Sequence, residues 1–504
     1  MIVLYNPFST TPGKQPLPLS LMALAAVLEG REPWTLVDAN VLSELAPKRS
    51  LTDQEVAATL VARLKQAPRD ESRLLAVTVM PGPQLAQAVP VCRAVRQALH
   101  DVPIVWGGYF PTGHADTVLG ARYVDFVVRS QGERSLLELI DALKTGRALS
   151  SVGGLSWKDG SGRVIHNPVT VPTPLDELPA LPYTRVPMNQ YLHQTYLGRR
   201  TVAHNSSFGC PFSCSFCAVV AMSNRRWLAQ SPARIERVLR QLVTDYGVDA
   251  VMMHDMDFFI SEARVAEFAE RIEKLGLAWW GLGRIDTLMR YSDATWRSMV
   301  RSGLRMVFSG AESASDETLR AMNKGGTSSA QLALDLARRM RDYGVVPEYS
   351  FVLGLPPDPL EDLERTFEFV RRIKRVNPAT EIVLYTYTPV PNDGALYDGA
   401  KTLGFRFPDT LEEWASDEWR QLMMRRGEHI PWVDGSVRRQ IRNFERVLNA
   451  FYPTVTDARL TPRRRALLRG VSALRYKCKL YAAPYELRAL HRLIHYQRPE
   501  TTGF

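Results

Sequence analysis

Three cysteines carry the strongest chemical signal in the chain. Cys210, Cys214 and Cys217 fall within eight residues, in the run Gly209-Cys210-Pro211-Phe212-Ser213-Cys214-Ser215-Phe216-Cys217. The spacing C-x3-C-x2-C puts three soft donors on one short loop. Soft thiolates suit the iron corners of a cuboidal iron-sulfur cluster, and three of them leave the fourth iron open to a chelating substrate. Structural zinc prefers four closed ligands, commonly from two CxxC pairs. The chain has no second pair, so zinc would have to recruit His204 or His254. Five cysteines in 504 residues are too few for a disulfide framework, and the other two, Cys92 and Cys478, read as inert packing residues.

A ligand loop needs a frame, and the sequence around it supplies one. From Thr201 to about Gly399 short apolar runs alternate with amphipathic helical segments: TVAHNSSF, AVMMHDMDFF, LAWWGLGR, LRMVFSGAES, VVPEYSFVLGLP and EIVLYTYTPVP, separated by stretches such as PARIERVLRQLVTDYG and SAQLALDLARRMRDYG. Six strand-helix units across residues 201–400 predict a partial or full α/β barrel, whose chemistry collects at the carboxyl ends of its strands. The three thiols directly follow the first of those strands.

Residues 1–150 show the same alternation, from IVLYN through LLAVTVM, PIVWGG and YVDFVV to ERSLLELIDALK, and predict a doubly wound parallel sheet of Rossmann-like type. Ligands of such sheets bind at the carboxyl ends of the strands, here Asn6-Pro7, Met80 to Gln84 and Gly107-Gly108-Tyr109, where small residues leave room for a large planar or nucleotide ligand. Residues 151–200 read as a linker, with a hairpin-like GGLSWKDGSGRVIHNP and the proline-rich PTPLDELPALPYTRVP. Residues 401–504 read as a helical C-terminal region. The formal charge of +10 concentrates there: between Arg459 and Arg498 stand eleven Lys or Arg and one acid, Glu486. A basic stretch interleaved with Leu and Tyr suits an anionic membrane surface or nucleic acid, or else a solvated helix face.

An apolar content of 45% with 23% charged residues is ordinary for a globular chain, and the length predicts two or three domains. No apolar run approaches the roughly 20 residues of a membrane span. The opening MIVLYNPF has neither a basic region nor a cleavage site, so the expected location is cytoplasmic, peripheral to the inner membrane face if the basic tail binds there.

On these residues the chain resembles the radical S-adenosylmethionine enzymes, whose hallmark is this cysteine spacing with an aromatic residue before the third cysteine, here Phe216. The resemblance extends over about 200 residues in order. His254-Asp255-Met256-Asp257-Phe258-Phe259 is similar to the family's acidic and aromatic second-strand end. Gly310-Ala311-Glu312-Ser313 is similar to its G-x-E-S fourth-strand end, VLGLPPDPLEDLERTFEF to its fifth strand and loop, and TYTPVPNDGALYD to its sixth. It implies a 4Fe-4S cluster on Cys210, Cys214 and Cys217, with S-adenosylmethionine chelating the open iron. One electron would then release a 5'-deoxyadenosyl radical that removes hydrogen from substrate. It further implies hydrogen bonds from Glu312 and Ser313 to the nucleoside, a pairing of Arg284 with the methionine carboxylate, and an orienting role for Asp257 and Asp255. The plainer reading makes the acids and Ser313 helix caps and Arg284 a surface ion-pair partner. One departure lies before the loop, where Ser206-Ser207-Phe208-Gly209-Cys210 lacks the arginine of the frequent T-S-R-G-C.

The N-terminal segments VMPGPQLAQAVPVCRAVRQ and VWGGYFPTGHADTVL resemble the cobalamin-binding domain of one large branch of that family, which includes methyltransferases acting on unreactive carbon and the anaerobic magnesium-protoporphyrin monomethyl ester cyclase. Met80, Gly82, Gln84, Gly108, Tyr109 and Thr112 are the implied cofactor contacts. The cobalt-ligating D-x-H-x-x-G motif is absent, and His114 sits in a different context. A degenerate domain that no longer binds cobalamin is the alternative. The leading expectation is cobalamin-dependent methylation of an unactivated carbon, with radical cyclisation or rearrangement as the runner-up. A methylthiotransferase would need three further N-terminal cysteines, and only Cys92 lies there. An iron-sulfur sensor that binds nucleic acid finds no helix-turn-helix or zinc-finger spacing. The expected partners are a small-molecule or lipid-like substrate, an electron donor such as flavodoxin or ferredoxin, and a membrane surface touched by the basic tail.

Overall fold

Successive side chains of a strand point to opposite faces, so a strand that is apolar at every position must be covered on both. The first strands meet that condition. In the computed structural model, which describes residues 1–9, 16–41, 50–66, 73–324, 328–356, 359–390, 395–424, 427–457 and 460–494, β1 (Ile2–Asn6) is buried throughout. It pairs in parallel with β2 (Trp34–Asp38) and β3 (Leu74–Thr78), and β4 (Ile104–Gly107) and β5 (Phe126–Val128) continue the sheet in the order β2-β1-β3-β4-β5. Ile2 and Leu4 pack with Leu21, Ala25, Leu136 and Leu139 on one face. Val3 and Tyr5 pack with Val56, Leu60, Val91 and Val95 on the other. Helices Leu19–Leu28 and Glu133–Thr145 therefore cover one side, helices Asp53–Lys65 and Pro83–Ala98 the opposite one, and the sheet is doubly wound as its alternation predicts.

The hairpin of β6 (Leu155–Lys158) and β7 (Val164–His166) adds to the β5 edge in antiparallel fashion, so these strands complete the first sheet.

The second sheet holds six parallel strands in chain order: β8 (Thr201–His204), β11 (Ala250–Met253), β12 (Ala278–Leu282), β13 (Leu304–Glu312), β14 (Val346–Leu353) and β15 (Glu381–Thr386). A separate small hairpin joins β9 (Ser207–Gly209) to β10 (Trp227–Ala229). Alternation again sorts the side chains. Val251, Trp279, Val307 and Phe351 pack outward with the helices, in one cluster with Ile235, Leu239, Phe268 and Met340. Met252, Trp280, Leu282 and Met306 form a separate inner cluster. This is the partial (β/α)6 barrel expected for residues 201–400.

The C-terminal region is helical, as expected, and packs against both sheets' layers. Helix Gly435–Phe451 packs Val437, Phe444 and Val447 into the barrel's outer core, with the Phe444 and Phe367 rings stacked 3.9 Å apart. Leu411 and Trp414 join the core of the first sheet, and Glu412 pairs with Arg93. Helices Pro462–Lys477 and Tyr485–Leu493 follow. Cys92 is buried, as expected, but Cys478 is exposed, a correction to its reading as a packing residue. No helix among the described residues is long and apolar enough to cross a membrane.

Candidate active site

Gly209 ends β9 with φ +78°, and a Cβ there would stand 2.2 Å from the Arg226 carbonyl oxygen. Only glycine lets the hairpin close so tightly before turning into the thiol loop. The loop is held from a distance: Ser215 N donates to Met322 O at 2.9 Å, and Asn323 Nδ2 donates to Ser213 O at 2.9 Å. Within it, Cys217 N donates to Cys214 O at 3.1 Å. Cys214 is buried and Cys210 and Cys217 are half-buried. Burial, joined by Asp257 and the neighbouring thiols, pushes Cys210 up to about 12. A bound cation reverses that balance and favours the thiolate.

All three thiols line a cavity of about 1920 Å³ that also touches the carboxyl ends of the first sheet, through Met80, Gln84, Gly108 and Tyr109. Among the described residues no group of three or more Cys, His, Asp or Glu converges on a single ion position. A zinc site built with His204 or His254 would need that convergence, whereas a cubane takes each thiolate at its own iron. Burial lowers both imidazoles; His204 Nε2 lies 3.3 Å from Gln230 Oε1, and His254 leans on Trp280.

Arg284 follows β12 and turns back on the loop. Its Nη1 lies 3.5 Å from Cys214 Sγ, its guanidinium covers the Phe212 ring at 3.9 Å, and its Nε and Nη2 each reach an oxygen of Asp286 at 3.0 Å. Burial works against its charge, and the paired Asp286 outweighs it. A further hydrogen bond from Nη2 to Lys324 O ties the same guanidinium to the segment that pins the loop. Arg284 is thus no surface ion-pair partner.

Glu312 ends β13 at φ +64°, a conformation that costs a non-glycine residue free energy and persists only where surroundings enforce it. The β13–β14 register shifts at this point. Its carboxylate folds back over Gly310, where a Cβ would stand 1.8 Å from Oε1, and pairs with Lys324 Nζ at 2.9 Å. Ser350 Oγ donates to the other oxygen at 3.3 Å. The following helix, Asp316–Ala321, is capped by Ser315, so Glu312 is no helix cap. Ser313 lies outside the residues that line the cavity: its hydroxyl donates to Asp362 and accepts from Ser315 N.

Asp257 is buried and lines the cavity. Oδ1 accepts from Phe259 N at 3.1 Å, while Oδ2 is buried with no hydrogen-bond partner. Burial pushes its carboxyl up to about 7. Asp255 instead closes the loop after β8, accepting from Ser206 N and Oγ at 3.1 and 2.8 Å. Phe216 lies against Met322 and Val352, with Lys324 Nζ 5.8 Å from its ring.

On the first sheet, Gln84 is spent beneath the loop: Oε1 accepts from Met80 N at 2.9 Å, and Nε2 donates to Asn6 Oδ1 at 3.0 Å. Gly82 (φ +88°) and Gly108 (φ +96°) make the turns that open the cavity wall, and the space above Gly82 is bounded by Met423 of the C-terminal region. Tyr109 lines the main cavity. Thr112 lines an adjoining cavity of about 640 Å³, and its Oγ1 accepts from Ser130 N at 3.1 Å. His114 stacks on Phe110 and meets Trp414 edge-on; burial lowers it to about 4.

Lys324, Asp286 and Ser350 complete the site and were not singled out from the sequence. Lys324 stands just after helix Asp316–Ala321, in the run SASDETLRAMNKG, which resembles the family's usual continuation; its pairing with Glu312 gives it a part in the site.

Residues 204–370 match the Radical SAM superfamily. The chain is 30% identical over 293 residues to an uncharacterized methyltransferase of Pyrococcus horikoshii, covering 57% of this chain and 61% of that protein. It is 28% identical over 339 residues to the anaerobic magnesium-protoporphyrin IX monomethyl ester cyclase of Synechocystis sp., covering 66% of this chain and 64% of the relative. It thus spans under two thirds of the length of these curated relatives. The fold is shared with the solved radical S-adenosylmethionine methyltransferase TsrM of Kitasatospora setae with cobalamin and a 4Fe-4S cluster bound. That match has a TM-score of 0.60 at 19% identity, covering 76% of this chain and 72% of that one.

Proposed function

We propose that this chain, which belongs to the radical S-adenosylmethionine superfamily, is a cobalamin-dependent enzyme that methylates an unactivated carbon through a 5'-deoxyadenosyl radical. One observation carries the reading: the thiol loop of the barrel and the strand-end loops of the first sheet line a single cavity of about 1920 Å³. A drug-sized ligand occupies roughly 300–1,000 Å³, so the chamber has room for two ligands side by side.

The residues present fit the groups the family implies. Three thiols on one loop match a cubane with one open corner, and Asp257, whose Oδ2 is buried without a hydrogen-bond partner, is among the residues that line the same chamber. Bound there, the cluster supplies the electron that breaks a carbon–sulfur bond of S-adenosylmethionine, and cobalamin supplies the methyl group. Cys210, Cys214 and Cys217 hold the cluster. Arg284 fixes Cys214 and shields its charge. The Glu312–Lys324 pair presents a rigid polar edge to the nucleoside, with Phe216 below it. Asp257 orients the substrate or the nucleoside. Met80, Gly108 and Tyr109 border the cobalamin side, while Gly82, Gln84 and Thr112 shape its loops. Met252, Trp280 and Met306 give the inner wall an apolar lining, which supports a substrate whose reacting portion is hydrocarbon and excludes water from the radical. An external one-electron donor such as flavodoxin or ferredoxin completes the system, and a cytoplasmic setting suits it.

The match to the cyclase favours a second reading, radical cyclisation at the same site. Anaerobic reconstitution with iron, sulfide and hydroxocobalamin, followed by reductant and S-adenosylmethionine, separates the two. Methyl transfer yields S-adenosylhomocysteine together with deoxyadenosine; cyclisation yields no S-adenosylhomocysteine. Protein that takes up no cluster, or keeps it after all three thiols are changed to alanine, sinks both.

A further inference from the structure

The two last helices show apolar side chains on the wrong side. Helix Pro462–Lys477 buries Leu468, Ser472 and Tyr476, one turn apart, against the molecule. Its outer face carries Leu467, Val471 and Leu474, which are 50%, 41% and 68% exposed. Helix Tyr485–Leu493 buries Leu487 and turns Tyr485 and Leu493 outward, 69% and 82% exposed, and Leu480 between the helices is half exposed. Of the fifteen large apolar side chains exposed among the described residues, six lie between Leu467 and Leu493. Solvated helices present charge outward; a grouped apolar face marks a surface that is covered in use.

Charge decides what covers it. Residues 460–494 carry nine Lys or Arg and one acid, Glu486, which is taken up by Arg475. Arg465 is turned inward, donating to Leu460 O and Asp457 O. Arg463, Arg464, Lys477, Arg488 and Arg492 remain exposed beside the apolar residues. Apolar side chains sinking among acyl chains, bordered by cations at headgroup level, are what a helix lying in an anionic bilayer interface requires. A protein partner would match the apolar face without calling for so uniform a charge, and a nucleic acid would match the charge and leave Leu467, Leu474 and Leu493 exposed.

We propose that helices Pro462–Lys477 and Tyr485–Leu493 form a docking surface for anionic phospholipid, inserting Leu467, Val471, Leu474, Tyr485 and Leu493 between headgroups held by the flanking arginines and lysines. The proposal stands independently of the catalytic reading, because it needs no cofactor and no turnover.

The test is sedimentation of the full chain, isolated anaerobically, with vesicles of phosphatidylcholine alone and of phosphatidylcholine mixed with phosphatidylglycerol. Binding is expected only to the mixed vesicles, weakening as salt is added. Two variants dissect it. Arg463→Gln with Arg464→Gln removes two exposed cations and is expected to weaken binding roughly tenfold or more, each cation near such a surface being worth about a factor of five. Leu467→Ser with Leu474→Ser is expected to weaken it comparably while leaving the salt dependence intact. Because all four side chains are exposed, iron content and circular dichroism are expected to stay at the unaltered level. Equal binding to both vesicle types, no binding to either, unchanged binding by both variants, or displacement from the vesicles by equimolar duplex DNA each overturns the proposal.

Discussion

The Arg284 guanidinium stands 3.5 Å from the Cys214 sulfur while both of its other edges grip Asp286 at 3.0 Å. One cation thus serves a thiol and a buried carboxylate at once, and the Phe212 ring beneath it fixes its plane.

Arg284→Ala therefore leaves Asp286 buried without its cation and removes a donor from Cys214. Unfolding of the metal-free protein in urea is expected to show a loss of about 3–5 kcal/mol, the usual cost of breaking a buried pair from one side. Arg284→Lys is expected to recover only part of it, since an ammonium cannot fork across two carboxylate oxygens.

Glu312→Gln strands Lys324 as a buried ammonium, and a loss of about 3 kcal/mol is expected. Adding Lys324→Met in the same chain is expected to restore most of that stability without restoring the polar edge. The double variant should therefore melt near the unaltered protein yet bind S-adenosylmethionine weakly by equilibrium dialysis. Additive losses would show that the two side chains do not act as a pair.

The carboxyl of Asp257 is pushed up to about 7 by burial, above the 3.8 it has when exposed. A carboxyl that keeps its proton longer when folded than when unfolded makes folding take up a proton, so its contribution falls as pH rises between about 4 and 7. Metal-free Asp257→Asn lacks that term. The stability difference between variant and unaltered protein is expected to grow in the variant's favour across this window, by up to about 1.4 kcal/mol per pH unit. A difference that stays flat from pH 4 to 7 contradicts the buried, proton-holding carboxyl.

Gly209→Ala places a methyl group 2.2 Å from the Arg226 carbonyl oxygen at φ +78°. The hairpin must open to admit it, at a cost of at least 1–3 kcal/mol in backbone strain. Iron bound per chain after anaerobic reconstitution is expected to fall sharply although the far-ultraviolet spectrum barely changes, since only the short β9–β10 ladder is lost.

Much of this architecture is legible in the residues themselves. The doubly wound first sheet follows from runs apolar at every position, and the barrel from six strand-helix units in chain order; the thiol loop follows from spacing alone. Side-chain direction is harder. Glu312 and Ser313 are neighbours in a motif, but the positive φ of Glu312 sends its carboxylate over Gly310 while Ser313 turns to Asp362. Lys324 escapes a linear reading because its meaning is a contact made across a turn. Residue type favours burial of Cys478, and its place at the end of an exposed helix overrides that preference. The family segments reaching Pro357, Asp358 and residues 391–394 lie outside the described residues, as do residues 458–459 and 495–504 of the basic tail.

The contact of Asn323 with Ser213 spans 110 positions of chain. During synthesis the three thiols leave the ribosome long before the segment that gives their loop its shape. Until that segment follows, the loop lacks its contacts with Met322 and Asn323, so its final shape waits for most of the barrel to be translated.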